Sequence, residues 1–542
     1  MWYTYSNMKN TLRILLLAGP LVAQVKIDQT AYDRIKSEEL EHSQSMHTLH
    51  MLADRYGPRL TGSPNFEKAA NWAVQQMTEW GFKNAHLEPW DFGHPGWLNM
   101  RAAGYMVTPI HGDLTFRVLS WTPSTKGPVT ASVIEVEIPH GPPVPAGEDA
   151  AAGRGPAGPR FLPPTQAEFD AGIAPLRGTL HGKIVMVGKA AVVPVNFEPQ
   201  PLRRDGNGRG GRGGRGAPPA PDPTRMTGAQ VAEAFDQFLV KEGAVVRVND
   251  AAMDHGLIRA FQNRTYDIAK AVPTVVLRND DYGRIERLVS DGDDVKLEFD
   301  IVNETYPKGT TSYDVVGEIL GTDKADEIVM LGGHLDSWHS ATGATDNAIG
   351  SAMMLEAARI IQALGLKPRR TIRIGLWSGE EEGLLGSAAY VKQHFGTFED
   401  PKPEYAKLDC YFNIDSGTGR VRGASIFGPA EAADIITAAL APFQDWKAGV
   451  ATATTSRATG GTDSTNFNAA GLPGIGLQQD PIEYQSFTWH TQLDTYERIV
   501  PEDVKQAATE IASMVWTIAN LDHMIPRLPK EQMPPPPGRG GR

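Results

Sequence analysis

The sequence predicts a mixed α/β protein: a largely parallel sheet flanked by helices on both faces, interrupted by an inserted, mostly-β domain. Three observations carry this. A chain of 542 residues exceeds what a single core organises, so at least two domains are expected. From about residue 310 onward, apolar runs of strand length alternate with helical periodicity, the pattern of a parallel sheet covered by helices. Between 112 and 290 the texture changes to β-rich pieces broken by Pro and Gly. The expected domains are a first segment of the main domain at 25–111, the insertion at 112–290, and the larger part of the main domain at 291–527.

Taken in order, the chain opens with the basic stretch Met8-Lys9-Asn10-Thr11-Leu12-Arg13 and the apolar run Ile14 to Ala23, which has export-signal length and is short for a bilayer. Residues 1–24 are therefore expected to be a signal peptide, with the mature protein secreted or periplasmic and without a stable membrane span. Residues 38–56 and 65–81 read as amphipathic helices; in the second, Ala69, Ala70, Trp72, Ala73, Met77 and Trp80 recur at helical spacing and Gly81 ends it. Within the insertion, 183–188 and 243–248 read as strands and Ala229–Lys241 as a helix. The Gly/Arg/Pro-rich stretch 203–223 cannot form a core and is expected to be a mobile loop.

In the last part, strands are expected at Glu327–Leu331, Thr371–Trp377, Cys410–Ile414, Ser425–Phe427 and Gly474–Leu477. Helices are expected at Ile349–Leu364, Leu384–Phe395, Glu431–Leu440 and Glu502–Asn520. Ligands then gather at the carboxyl ends of the strands. The Pro-rich tail 528–542 reads as disordered.

Charge and cysteine content exclude several classes. A formal net charge of −12 has the wrong sign for general nucleic-acid or anionic-membrane binding, and the Arg-Gly tract in such a chain reads as solvated loop. Cys410 is the single cysteine, so neither an internal disulfide nor a cysteine-rich metal module is available.

Five places could carry chemistry. The apolar run into Val329-Met330-Leu331-Gly332-Gly333-His334 is followed by Asp336, and alternate residues of a strand share a face, so one can bind a metal and the other orient it. Asp346 closes the next loop; Glu380-Glu381-Glu382 follows the strand ending at Trp377; Asp415 follows the next strand; His490 follows a later loop. Singly, each has an ordinary reading: a satisfied strand-end His, an acidic helix start, a turn residue. An α/β sheet, however, collects them at one edge. Two imidazoles and three carboxylates make a poor isolated cluster, since like charges packed together repel and raise each other's pKa, and a pair of divalent cations removes that cost. Nitrogen and oxygen donors without thiolate suit zinc, with cobalt or manganese as substitutes. Five donors for two cations imply one shared carboxylate and open positions for water and substrate, which is the layout of a hydrolytic site.

The segments GGHLDSW, ATDNAIG, EEEGLLGS, NIDSG and WHTQLDTYERI, with RLTGSPN near the start, resemble the co-catalytic di-zinc exopeptidases. That family includes bacterial secreted aminopeptidases and plasma glutamate carboxypeptidase, and LQQDPIEY together with the His-Thr-x-x-Asp-Thr block is most similar to its carboxypeptidase Q-like branch. The insertion is similar to the protease-associated domain found in such enzymes. The resemblance implies two zinc ions: His334 and Asp415 on one, Glu381 and His490 on the other, Asp346 bridging, Glu380 as general base, and Asp336 orienting His334. It also implies a cis Asp346–Asn347 peptide. Asp463, in a loop similar to one near the family's site, is expected either to support the site or to cap a helix. Many relatives have Tyr before the last His; this chain has Trp489, which leaves Trp489, Tyr484 and Tyr496 as candidates for holding the oxyanion.

The expected activity is removal of the amino-terminal residue of peptides or splitting of dipeptides, with a glutamate-releasing carboxypeptidase as the alternative. A binding or receptor relative would be expected to lack ligands or base, and a single-metal cyclotransferase would lack one set of ligands; none of the six residues is missing. The insertion is expected to lid the site or build a homodimer contact.

Overall fold

The computed structural model describes residues 25–144, 161–193 and 222–537. Residues 1–24 expected as a signal, nearly all of the 203–223 loop and the end of the tail from 538 lie outside the described residues. Sixteen strands are present among them. In chain order they are β1 Lys83–Asp91, β2 Gly96–Thr108, β3 Gly112–Asp113, β4 Phe116–Val118, β5 Val129–Val136, β6 Ile184–Val187, β7 Val246–Asp250 and β8 Thr274–Leu277. They continue with β9 Lys296–Tyr306, β10 Thr311–Ile319, β11 Lys324–His334, β12 Arg370–Trp377, β13 Leu408–Asn413, β14 Val421–Phe427, β15 Ala451–Thr454 and β16 Gly474–Gln479. They form two eight-stranded sheets, β1-β10-β12-β11-β13-β16-β14-β15 and β3-β2-β9-β5-β6-β7-β8-β4.

The first sheet is mixed, and its centre decides where the site lies. β11 pairs in parallel with β12 on one side and β13 on the other, Leu331 sitting opposite both Ile374 and Phe412. The carboxyl ends of the three strands are therefore level. Strand alternation gives each face its own core. Val329 and Leu331 point into a large core with Met354 of helix Ile349–Ala363 and Ile511 of helix Pro501–Ala519. Ile328 and Met330 point the other way, into a core with Tyr390 and Val391 of helix Leu385–His394 and Phe467 of helix Ser464–Ala469.

The second sheet is reached by two short links, 92–95 and 307–310, which cross each other closely. A Cβ on Gly309 would stand 2.3 Å from the main-chain nitrogen of Gly96, so this crossing requires glycine. The sheet takes in β2 and β9 and thus extends beyond the expected 112–290 on both sides. Nor is this region mostly β: β5 to β8 run parallel, with helices Gln166–Ile173, Gly228–Glu242 and Asn279–Ser290 between or after them, so it is itself α/β.

Three further expectations are corrected. The helix expected over 38–56 is broken, with Gln29–His42 separated from Ser45–His50 at Ser43 and Gln44. The helix expected over 65–81 starts at Pro64, where the Ser63 hydroxyl accepts from Phe66 N–H at 3.2 Å, and ends at Glu79. The tail packs as far as Pro534, since Leu528 is buried and Arg457 Nη1 donates to the Pro534 carbonyl at 3.1 Å. Among the described residues no helix is long and apolar enough to cross a membrane.

Candidate metal centre

The level ends of β11, β12 and β13 place three parts of the site side by side. His334 is the last residue of β11, Glu380 and Glu381 follow β12, and Asp415 follows β13. Asp346 comes from the turn before helix Ile349–Ala363, and His490 from the loop after the short turn Tyr484–Thr488.

His334 Nε2 lies 3.2 Å from Asp346 Oδ1 and 3.3 Å from Asp415 Oδ1. His490 Nε2 lies 3.1 Å from Asp346 Oδ2 and 2.9 Å from Glu381 Oε2. The five side chains form two triads, His334/Asp346/Asp415 and Asp346/Glu381/His490, in each of which the donor atoms lie within 4.8 Å of one another. Asp346 belongs to both. The Asp346–Asn347 peptide is cis.

The donor set fits divalent cations. Asp346 Oδ2 and Glu381 Oε1 are buried and accept no well-formed hydrogen bond, and the one Nε2 near Asp346 Oδ2 also faces Glu381, so a single N–H cannot serve both. Burial raises Glu381 to about 7, with Asp346 adding to the rise against His490. Glu380 is raised well above the carboxylate range, mainly by burial, with Asp415 and Glu381 adding to it and His334 opposing. Positive charge between the carboxylates is what such a cluster lacks. No thiol is near: Cys410 is buried inside β13.

The surroundings hold these groups in specific ways. His334 Nδ1 is 3.0 Å from the main-chain oxygen of Asp336 and 3.5 Å from its carboxylate, so the carbonyl, not the expected carboxylate, is the closer orienting partner. The Asp336 carboxylate instead accepts from Thr61 Oγ1 at 3.1 Å and from the N–H groups of Glu380 and Glu381 at 3.3 Å each. It fixes the main chain of the acidic pair. Thr61 Oγ1 also accepts from Gly379 N–H at 2.9 Å. Asp463 accepts from Ser387 Oγ at 2.5 Å, and its side chain makes no cap hydrogen bond to helix Ser464–Ala469.

Of the three oxyanion candidates, Tyr484 is the one beside the donors, with its hydroxyl 3.4 Å from Asp415 Oδ1. A Cβ on Gly417 would stand 3.0 Å from the Tyr484 ring, and this glycine has φ +86°, so the turn after Asp415 needs glycine to admit the phenol. Trp489 lines the same cleft, with its ring 4.1 Å from that of His490. Tyr496 packs against the large core and does not line the cleft. The cleft has a volume of about 490 Å³ and is bordered by Asp346, Glu380, Asp415, Tyr484, Trp489 and His490. Glu382 does not border it.

Three supporting residues had no assigned role in the sequence reading. Asp494 accepts from Thr345 N–H and Oγ1 at 2.5 and 2.8 Å and from Asp346 N–H at 3.2 Å. Arg59 is fully buried and donates to the carbonyls of Leu52, Leu335, Thr342 and Gly343. With Thr61 they lie within WHTQLDTYERI and RLTGSPN, so the motifs signalled them even though their contacts could not be read.

Fold and donor set together suit a metal-dependent hydrolase. The family model described as Peptidase family M28 matches residues 314–515. Carboxypeptidase Q of Mus musculus is 26% identical over 513 residues, covering 93% of this chain and 91% of its own. Leupeptin-inactivating enzyme 1 of Streptomyces exfoliatus is 28% identical over 228 residues, 39% of this chain and 49% of its own. Two solved structures share the fold. A peptidase M28 precursor from Shewanella amazonensis has TM-score 0.63 at 24% identity, over 93% of this chain and 99% of that one. A zinc aminopeptidase from Bacillus subtilis has TM-score 0.53 at 17% identity, over 87% and 93%. Residues 314–515 thus match peptidase family M28, and the chain is a metallo-exopeptidase.

Proposed function

We propose that this protein is an exported di-zinc exopeptidase that removes the amino-terminal residue of peptides or splits dipeptides. The observation that carries the reading is the sharing of Asp346 between two triads of donors at the mouth of one cleft. His334 and Asp415 would hold one cation, Glu381 and His490 the other, and Asp346 both. Two zinc ions bound there supply Lewis acidity to the scissile carbonyl and make water more acidic.

The chain's own residues supply the rest. Glu380 borders the cleft and takes the proton of the attacking water, then returns it to the leaving amine, the two halves of general acid–base catalysis. Asp336, bound to the N–H of Glu380, fixes where that carboxylate can reach. The Tyr484 hydroxyl donates to the oxyanion as the carbonyl becomes tetrahedral, the task for which the residue before His490 is an indole here. Export is supported by the basic and apolar start of the sequence.

The test is hydrolysis of a peptide library read by mass spectrometry, with wild type and Glu380→Gln compared at equal zinc content. The reading expects single residues released from amino termini by wild type, and kcat lowered about 10²- to 10⁴-fold in Glu380→Gln. Release from carboxyl termini would replace it with the carboxypeptidase reading. Zinc-replete protein inactive on every peptide would remove the enzyme reading altogether.

A further inference from the structure

The second sheet reaches the metal centre through one segment, a turn at His255-Gly256 followed by extended chain to 262, which runs against the loop 487–494 that carries His490. Arg259 pairs with Thr491 as an antiparallel bridge. The Gln492 side chain spans the gap, accepting from Ile258 N–H at 2.7 Å and donating to the Gly256 carbonyl at 2.9 Å. Arg259 Nε donates to the Trp489 carbonyl at 3.1 Å while its guanidinium lies 4.7 Å from the centre of the Trp489 ring. Its charge has no carboxylate partner among the described residues; it is directed at Trp489 through both main chain and ring. Phe261, two residues on and thus on the same side of an extended segment, sets its ring edge-on to His490 at 5.5 Å and to Trp338 at 5.4 Å.

His490 needs such support more than His334 does. It has φ +60°, a left-handed conformation costly to a side-chain-bearing residue. Its Nδ1 is buried and has no hydrogen-bond partner among the described residues, whereas a metal-binding imidazole is ordinarily oriented through its second nitrogen. His334 has that anchor, the Asp336 carbonyl at 3.0 Å, and its own carbonyl accepts from Ser351 Oγ at 2.8 Å, both from the first sheet's side. The two triads are thus held by different means. Packing by Arg259, Trp489 and Phe261 stands in for the missing hydrogen bond at His490.

We infer that Arg259 is a positioning residue that, with Phe261, orients His490, so that the inserted sheet controls occupancy of the Glu381/His490 cation site and leaves the His334/Asp415 site alone. The inference rests on the two-cation reading of the centre.

The experiment is calorimetric titration of the zinc-stripped full-length protein with zinc, for wild type, Arg259→Ala, Arg259→Lys, Phe261→Leu and Gln492→Ala, with His490→Ala and Asp415→Asn marking which binding step belongs to which site. Wild type should bind two equivalents. Arg259→Ala should weaken by about tenfold the step that His490→Ala abolishes, and leave the step that Asp415→Asn abolishes unchanged. Arg259→Lys, which keeps a cation over the indole but loses the planar donor fork, should recover part of the loss. Excess zinc should return kcat of Arg259→Ala toward wild type at unchanged KM, which a misfolded chain would not do. If Arg259→Ala does not fold, Phe261→Leu and Gln492→Ala must show the same one-site loss. Two undiminished equivalents in all folded variants, or equal weakening of both, overturn the inference while the two-cation reading stands; a wild type that never binds a second equivalent overturns that reading itself.

Discussion

The carboxylate of Asp494 accepts the main-chain N–H of Asp346 at 3.2 Å and both donors of Thr345, so the residue shared by the two triads is set in place from the loop that also carries His490. This contact ties the two ends of the site together through backbone, where neither side chain alone could. Asp494→Ala is therefore expected to lower zinc affinity about 10- to 100-fold at both positions, and Asp494→Asn, which keeps an acceptor, by less. Competition with a coloured chelator measures it. Equal affinity in Asp494→Ala and wild type would show that Asp346 needs no such hold.

Tyr484 and Trp489 are separated by kinetics. Tyr484→Phe removes only a hydroxyl and should reduce kcat/KM about 10²-fold, mostly in kcat, with zinc content unchanged. Trp489→Phe keeps a ring on His490 and should cost far less. The reverse ranking would move oxyanion stabilisation to the indole.

Arg59 tests the support beneath the loop at 335–343. Its buried guanidinium feeds four main-chain carbonyls, of which that of Gly343 also accepts from Ala348 N–H, and burial pulls it down to about 10 without discharging it at neutral pH. Arg59→Met should destabilise the fold by ~3 kcal/mol or more in chemical denaturation, through carbonyls left unpaired. A change below ~1 kcal/mol would show that water replaces the side chain.

A pH dependence of stability arises away from the site, at His394. Burial works to lower this imidazole, but Glu404 at 3.5 Å and Glu88 at 2.7 Å outweigh it and raise it to about 9. A folded-state value above the unfolded one means that the stabilisation is fully present below the ordinary His range and is lost as pH rises through about 9. Since the side chain is 24% exposed, the contribution is ~1–2 kcal/mol and not the full linkage value. Thermal melts of wild type and His394→Gln should differ at pH 6 and converge by pH 10; a constant difference would remove the titration from the account.

The strands and helices around the site were legible because each is a long, one-sided or fully apolar run. Ile349–Ala363 and Pro501–Ala519 lie within a residue or two of their expected bounds for this reason. β10, by contrast, carries Ser312, Asp314 and Glu318 at buried positions, and its polar letters hide a strand whose partners bury it from both sides. The limits of the second sheet were illegible because β2 and β9 pair across almost two hundred residues, which no local pattern records. Within the site, donor residues are visible as residue types at strand ends. That the Asp336 carboxylate would lie nearer the Glu380 and Glu381 amides than His334, or that Arg259 and Phe261 would cross from another sheet, depends on tertiary packing alone.

The most direct measurement of the central claim is a crystal structure of the zinc-loaded protein with diffraction recorded on both sides of the zinc absorption edge. The account predicts two anomalous peaks about 3.5–4 Å apart, one among His334, Asp346 and Asp415 and one among Asp346, Glu381 and His490. A single peak at saturating zinc, or peaks away from Asp346, would contradict it.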